Sequence, residues 1–414
     1  TEPPRDAAAR AAALRLRRRV VLTFGGKALV DATLGELGAT VDVASVEEAA
    51  LRVARTGGLF RQIGDALAAR RGEVRLRTRT LVPIDVLAAR LERPKEELDT
   101  PPLAAKLDVA THRAAAPHRP GRYLDAFAAA EAIQRAIDAS PDPTVTVVVP
   151  LFEIPPSASS DVVEKIDTRA VLARYDTRFG YVGGQANRAQ NVRTAAERMD
   201  GVVLMPGEVV SFNANVGPRS IENGFATAPE IYKGEMREGV GGGTCQVAGT
   251  LHAAAYFAGL EVLERANHSR PSGYIRMGLD ATVVYPTVDL KLENPFDFPV
   301  VIHSIVDKGE LTFELLGRER PATVDFSTET LGTADFKRKI EEKEGLPEGK
   351  FVLKQKGIRG YSIKKTRTIR FHDGKEKIEV THDTYPPTFE IYWVPPGTDP
   401  AVLPPLGEGA GRTT

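Results

Sequence analysis

The chain has 414 residues, 55 basic and 55 acidic side chains for a formal net charge of zero, 42% hydrophobic residues and a single cysteine. That length suffices for two or three domains with their own cores, the charge balance disfavours nucleic acid or a strongly anionic membrane as main partner, and one cysteine excludes an internal disulfide. No run reaches the roughly 18 apolar residues that a spanning helix needs, and a start on Thr1 rather than methionine leaves room for an export signal or membrane anchor upstream.

Residues 1–19, rich in Ala and Arg, read as a mobile or helical lead-in. The cluster Arg15, Arg17, Arg18 and Arg19 fits a solvated helix end better than a membrane face. Residues 20–155 read as an α+β domain. Strand patterns at Val20 to Phe24, Glu73 to Val82 and Val145 to Val149 alternate with helical patterns at Val46 to Val53, Leu59 to Arg70, Ile84 to Leu91 and Leu124 to Ile137. Val74, Leu76 and the arginines between them predict a sheet with one wet face. Pro101 to Pro120 reads as a strand with loops. Its His112 and His118 lack the neighbouring ligands of a metal site and are assigned to the surface. Leu151 to Ser160, with two prolines and three serines, is a linker or edge strand.

Residues 156–320 form the next expected domain. A helix is predicted over Ala186 to Met199, and a hairpin over Val202 to Phe212 around Pro206-Gly207. Asn187, Arg188, Asn191 and Arg193 are candidates to line a site and hold a carboxylate, Arg188 foremost, because a guanidinium makes paired hydrogen bonds to one. Asn213, before an expected turn, is a further cleft candidate.

The stretch Gly239 to Thr282 carries the chemistry. Val247, Leu251, Ala254, Ala255 and Ala258 recur at helical spacing and Gly259 supplies a stop, so Gln246 to Ala258 is predicted to be a helix with one buried face. Thr244 is the expected N-cap, which puts Cys245 in the first turn, where free N–H groups and the helix dipole favour a thiolate. The glycines at 241–243 allow close approach of a ligand, and the amides of Gly243 and Thr244, with Gln246, are the expected oxyanion donors. Leu260 to Arg265 and Asp280 to Tyr285 read as two strands whose pairing would bring His268 and Asp280 to the same end of a hairpin. Cys245 as nucleophile, His268 as base and Asp280 as its orienting carboxylate make a complete constellation. His252, seven residues after Cys245, is too far along the helix to be the base and is expected half-exposed. Two other readings stay open: a packed structural cysteine in a binding scaffold, and a metal site on Cys245 and His268, for which two further ligands are not evident.

From Tyr175 to about Ile305 the chain resembles the VanW family, through YDTRF (Tyr175 to Phe179), NRAQNV (Asn187 to Val192), MPGEVVSFN (Met205 to Asn213), GGGTCQVAGTL (Gly241 to Leu251), ERANHS (Glu264 to Ser269) and GLDATV (Gly278 to Val283). Members usually carry Ser where Ala248 stands and Tyr where His252 stands. The resemblance implies a bacterial cell-envelope protein, exported, linked to peptidoglycan and named from glycopeptide-resistance gene clusters. It brings no reaction with it, so the Cys-His-Asp reading rests on the residues. The preceding region, through ARTGGLFRQIGDAL (Ala54 to Leu67) and PIDVLAARL (Pro83 to Leu91), is similar to the peptidoglycan-binding module that often precedes a VanW domain. Peptidoglycan or its stem peptides are the implied partner, with no cofactor, metal or nucleic acid expected.

After Asp280, strands are predicted at Asp289 to Leu292, Phe298 to Ser304 and Glu310 to Leu316, completing an antiparallel sheet against the cysteine helix. Residues 321–394 read as a charged helical or linker stretch, Asp335 to Lys350, followed by a small β-rich module, and residues 395–414 as a disordered tail. The expected whole is a multi-domain α+β protein.

Overall fold

The computed structural model describes residues 4–74, 80–232 and 235–406. The chain divides into two compact units, residues 1–103 with 119–156, and residues 104–118 with 157–414. The segment 104–118, expected within the first domain, therefore lies with the second. There its strands Lys106–Asp108 and Arg113–Ala116 form a hairpin, and Leu107 donates its N–H to the Gly201 carbonyl at 2.8 Å.

In the first unit, Arg19–Phe24 is the central strand, antiparallel to Lys27–Thr33 and parallel to Thr144–Val148. The alternation Val20, Leu22 and Val145, Val147 points one face inward, where it joins Leu87, Leu91, Leu124 and Ile133 in a core. Leu87 and Leu91 come from helix Ile84–Leu98 and Ile133 from helix Ala126–Ala139. Arg15 and Arg18 of the basic cluster are tied into this fold, while Arg17 and Arg19 stay exposed. Arg15 pairs with Asp138 at 2.7 Å, Arg18 donates to the carbonyls of Ile137, Ser140 and Asp142, and Arg19 pairs with Asp31 at 2.6 Å. Of the sheet expected over Glu73 to Val82, the part at 75–79 lies outside the described residues, and Thr80–Leu81 pairs with Thr40–Val41.

The second unit is built on an antiparallel sheet in the order Ala170–Arg178, Glu310–Gly317, Val300–Asp307, Val202–Leu204. The expected hairpin over Val202 to Phe212 does not form. Val202–Leu204 pairs with Val300–Asp307, while Val209–Ser211 joins Lys291–Glu293 in a different sheet that also holds Glu261–Glu264. Helix Ala186–Met199 and helix Thr244–Ala258 share a core with these sheets. The second helix is buried on nearly every side rather than on one face, only Cys245 and Phe257 among its residues escaping full burial. Its run of Ala and Gly explains this, since small side chains let neighbours approach all round: a Cβ on Gly249 would lie 3.3 Å from the Ala281 amide nitrogen.

The charged stretch Asp335 to Lys350 is not helical: a strand opens it and turns over 343–350 close it. Arg338–Glu342 is a strand, parallel to Glu390–Val394, and Ala322–Ala334, Gly360–Phe371 and Glu376–Tyr385 make a second antiparallel sheet. These strands belong to the same compact unit as the cysteine helix. Arg367, almost fully buried, donates through Nη2 to the carbonyls of Tyr256 and Leu260 at 2.5 and 3.0 Å and stacks on the Tyr256 ring. A cation thus sits at the negative end of that helix. Residues 395–406 carry a short turn at Pro400–Val402, with Leu403 buried; 407–414 lie outside the described residues.

Candidate active site

Cys245 is the second residue of helix Thr244–Ala258 and is partly exposed. The three glycines before it serve close packing. Gly241 and Gly243 have φ of +94° and +111°, a region that residues with a Cβ rarely enter. A Cβ on Gly241 would lie 2.8 Å from the Arg219 stem, one on Gly242 would lie 2.6 Å from the Pro229 carbonyl oxygen, and one on Gly243 would crowd Val192 and Arg188 at 3.1 and 3.2 Å. Strand Thr227–Tyr232 and two arginine stems therefore close directly on the start of the helix.

His268 and Asp280 are brought together by a bridge between Ala266 and Thr282, which folds the chain between them into a loop. Asp280 Oδ2 accepts both the His268 backbone N–H at 2.7 Å and the ring Nδ1–H at 2.8 Å. With Nδ1 so held, Nε2 is the nitrogen left for the thiol, and Tyr274 hydroxyl lies 3.4 Å from it. The Cys245 thiol hydrogen-bonds the Val283 carbonyl oxygen at 3.6 Å, and the His268 imidazole is near enough to favour its ionisation. His252 is buried rather than half-exposed, and its Nδ1–H donates to the Leu279 carbonyl at 2.7 Å, fixing the chain one residue before Asp280. Burial, with the Arg265 charge, lowers its pKa to about 3, so it is a neutral structural group.

Behind Asp280 runs a buried chain of charges. Its Oδ1 accepts from Arg265 Nη2 at 3.0 Å and from the Tyr385 hydroxyl at 2.6 Å. Arg265 Nη1 reaches both Asp383 oxygens at 2.6 Å, and Lys365 lies 3.3 Å from Asp383 Oδ2. Burial opposes the Asp280 charge, but the bond from His268 and the charge of Arg265 hold its carboxyl far below the usual range. Burial also opposes protonation of His268, yet its bonds to Asp280 and Cys245 raise it to about 9. The Cys245 thiol is opposed by burial in turn, and the hydrogen bond and charge of His268, with Arg219, bring it below its ordinary value. The directions agree: the thiol is lowered and the imidazole raised, so each favours the charged form of the other.

The thiol opens into a cleft of 1220 Å³ lined by Arg188, Arg219, His268, Arg270, Tyr274 and Tyr285 among others. Of the sequence candidates, Cys245, His268, Arg188, Gly243, Thr244 and Gln246 border this space, and Asp280 stands behind His268. Three candidates do not serve as expected. The Thr244 N–H is taken by the Gly241 carbonyl at 3.1 Å and the Gln246 N–H by the Gly243 carbonyl at 3.0 Å. The Gln246 side chain donates to Thr177 Oγ1 and to the Arg178 carbonyl, each at 3.0 Å, and is buried in that contact. Asn213 is outside the cleft: buried, it donates through Nδ2 to the Val288 carbonyl at 2.8 Å while its N–H bonds Asp289, so it braces the turn after Asp280. Among the described residues, the amides of Gly243 and Cys245 have no carbonyl partner.

Residues 187–316 match the family model described as "VanW like protein" and residues 30–145 the model described as "Putative peptidoglycan binding domain". Residues 187–316 are a VanW-like domain. The chain is 37% identical to YoaR of Bacillus subtilis over 158 residues, 38% of this chain and 51% of YoaR. It is 24% identical to the vancomycin B-type resistance protein VanW of Enterococcus faecalis over 160 residues, 37% of this chain and 58% of that protein. The chain thus spans little more than half the length of either relative. Cys245, His268, Asp280 and the cleft arginines all fall inside the VanW-like domain, whereas Tyr385, Asp383 and Lys365 lie beyond it. Sequence reasoning missed Arg219, Arg265 and Arg270. The glycine run carried a signal for the first, since consecutive residues without Cβ imply something bulky pressed against them.

Proposed function

We propose that this is a bacterial cell-envelope protein, acting outside the cytoplasm, whose VanW-like domain performs cysteine-dependent acyl transfer on peptidoglycan stem peptides, as a peptidase, amidase or transpeptidase. The observation that carries the reading is the Cys245–His268–Asp280 series at the floor of an open cleft. The Cys245 thiolate attacks the carbonyl carbon of the scissile amide, and the negative charge on its oxygen is met by the Cys245 and Gly243 amides. His268, protonated at Nε2, gives that proton to the departing amine as the C–N bond breaks, leaving a thioester on Cys245. Neutral His268 then takes a proton from water or from a second amine as that group attacks the thioester, which returns the thiolate and the imidazolium. Asp280 stays ionised throughout and keeps Nδ1–H turned toward itself.

A second reading is a scaffold that grips peptidoglycan without cleaving it, favoured by the match of residues 30–145 to a peptidoglycan-binding domain. Purified cell wall incubated with wild type and with Cys245→Ala separates the two. Acyl transfer predicts changed peptide fragments or cross-links from wild type alone, with both proteins sedimenting with the wall. Sedimentation of both with no product from either would leave the scaffold.

A further inference from the structure

Four arginines and one glutamate, Glu230, are the strong acids and bases that line the cleft besides the reacting pair. Glu230 is already committed, its Oε1 lying 2.8 Å from Arg237. Arg188, Arg219 and Arg270 come from three separate places, the helix Ala186–Met199, the chain after Phe212–Val216 and the loop that follows His268. Among the described residues none of the three has a carboxylate within ion-pairing distance, although ion pairs are common elsewhere in the unit. The nearby anions are matched in other ways. Cys245 neighbours the His268 ring, and Asp280 pairs with both His268 and Arg265.

Arg219 is the most telling of the three. Its Nη1 donates to the Gly217 carbonyl at 2.7 Å, and the faces of Phe212 and Tyr285 lie 5.5 and 5.9 Å from its guanidinium carbon. Its Nη2 is buried with no hydrogen-bond partner. Burial lowers the pKa of all three, that of Arg219 to about 10, so each still carries its charge at neutral pH. A buried cation without a counter-ion is costly, and a ligand anion would remove that cost.

We propose that Arg188, Arg219 and Arg270 form a carboxylate-binding subsite beside Cys245, so that the preferred substrate presents a free carboxylate next to the acyl group that is transferred. This rests on the acyl-transfer reading and narrows its substrate class to acidic peptides over their amidated forms. Guanidinium planes suit a carboxylate because they offer parallel N–H pairs. Gly241 and Gly243 are what allow the Arg219 and Arg188 stems to close on the start of the cysteine helix.

The full chain tests this by the alkylation of Cys245 with two reagents of similar size, iodoacetate and iodoacetamide. In both, sulfur displaces iodide and forms a thioether. The ratio of their rates cancels any change in thiolate fraction and reports recruitment of the anion. A free thiolate prefers the neutral reagent; the subsite predicts that iodoacetate is the faster one, and that Arg219→Gln and Arg270→Gln each reduce the ratio about fivefold or more. A second measurement does not need the thiol. Cys245→Ala is titrated calorimetrically with the synthetic peptide Ac-Ala-Glu-Lys-Ala and with its fully amidated counterpart, and the acid form should bind about tenfold tighter. Preference for iodoacetamide together with equal binding of the two peptides overturns the subsite and leaves the nucleophile standing. A thiol inert to both reagents with acid-selective binding keeps the subsite and removes the nucleophile.

Discussion

Two side chains and the protein around them decide what the sulfur of Cys245 can do. The His268 ring supplies a hydrogen bond and a charge, Arg219 adds a more distant charge, and the surrounding protein opposes both by excluding water. The balance lies below the thiol's ordinary value, while His268 is raised to about 9. On the acyl-transfer reading, the active ion pair exists between these two ionisations. As pH rises through the thiol's lowered value the thiolate forms and turnover rises; as pH passes about 9 the imidazolium loses the proton that the leaving amine needs, and turnover falls. A bell-shaped profile with its alkaline limb near 9 is expected for product release from cell wall. Alkylation by iodoacetamide, which needs no proton donor, should show the acid limb alone. A thiol that titrates above about 8.5 in alkylation would argue against an activated sulfur.

The elements around the site explain both what could be read in advance and what could not. Helix Thr244–Ala258 was legible because Ala and Leu recur at helical spacing and Gly259 stops it, with φ of +91°. The approach of His268 to Asp280 was legible because few residues separate them, but the expected strand pair is reduced to the Ala266–Thr282 bridge, and Glu261–Glu264 pairs with Lys291–Glu293 instead. Gln246 and Asn213 were misread because a polar residue in a string looks the same whether it faces a cleft or a buried carbonyl; here Arg178 and Val288 supply the carbonyls. Tyr385 was invisible because its partner lies 105 residues earlier. Strand Glu376–Tyr385 carries that residue to Asp280, where its hydroxyl donates to Oδ1 at 2.6 Å and accepts the Gly278 N–H at 2.8 Å. Tyr385→Phe removes both contacts from a buried carboxylate, and a loss of about 1–3 kcal/mol is expected in urea unfolding. Turnover should fall as well, because Asp280 loses a constraint on the oxygen opposite His268. An unchanged unfolding midpoint with unchanged turnover would show that this strand does not brace the site.

At the scale of the whole molecule, the strands after Pro321 complete the unit that holds Cys245 rather than follow it as a separate module. Arg367 caps the cysteine helix and Asp383 neutralises Arg265, both from within buried surroundings. Ending the chain at Pro321 removes these partners, along with Tyr385, and leaves Arg265 facing a vacancy. The shortened protein is expected to unfold at a lower urea concentration or to aggregate, and any folded fraction should show a thiol titrating nearer its ordinary value. Matching unfolding midpoints and matching thiol titrations for the two lengths would overturn this. The dependence also has a temporal side. While a ribosome has yet to translate residues 360–385, the growing polypeptide already contains its nucleophile but lacks the tyrosine on the orienting carboxylate and the acidic partner of the arginine beside it, so the site is complete only when synthesis has passed that point.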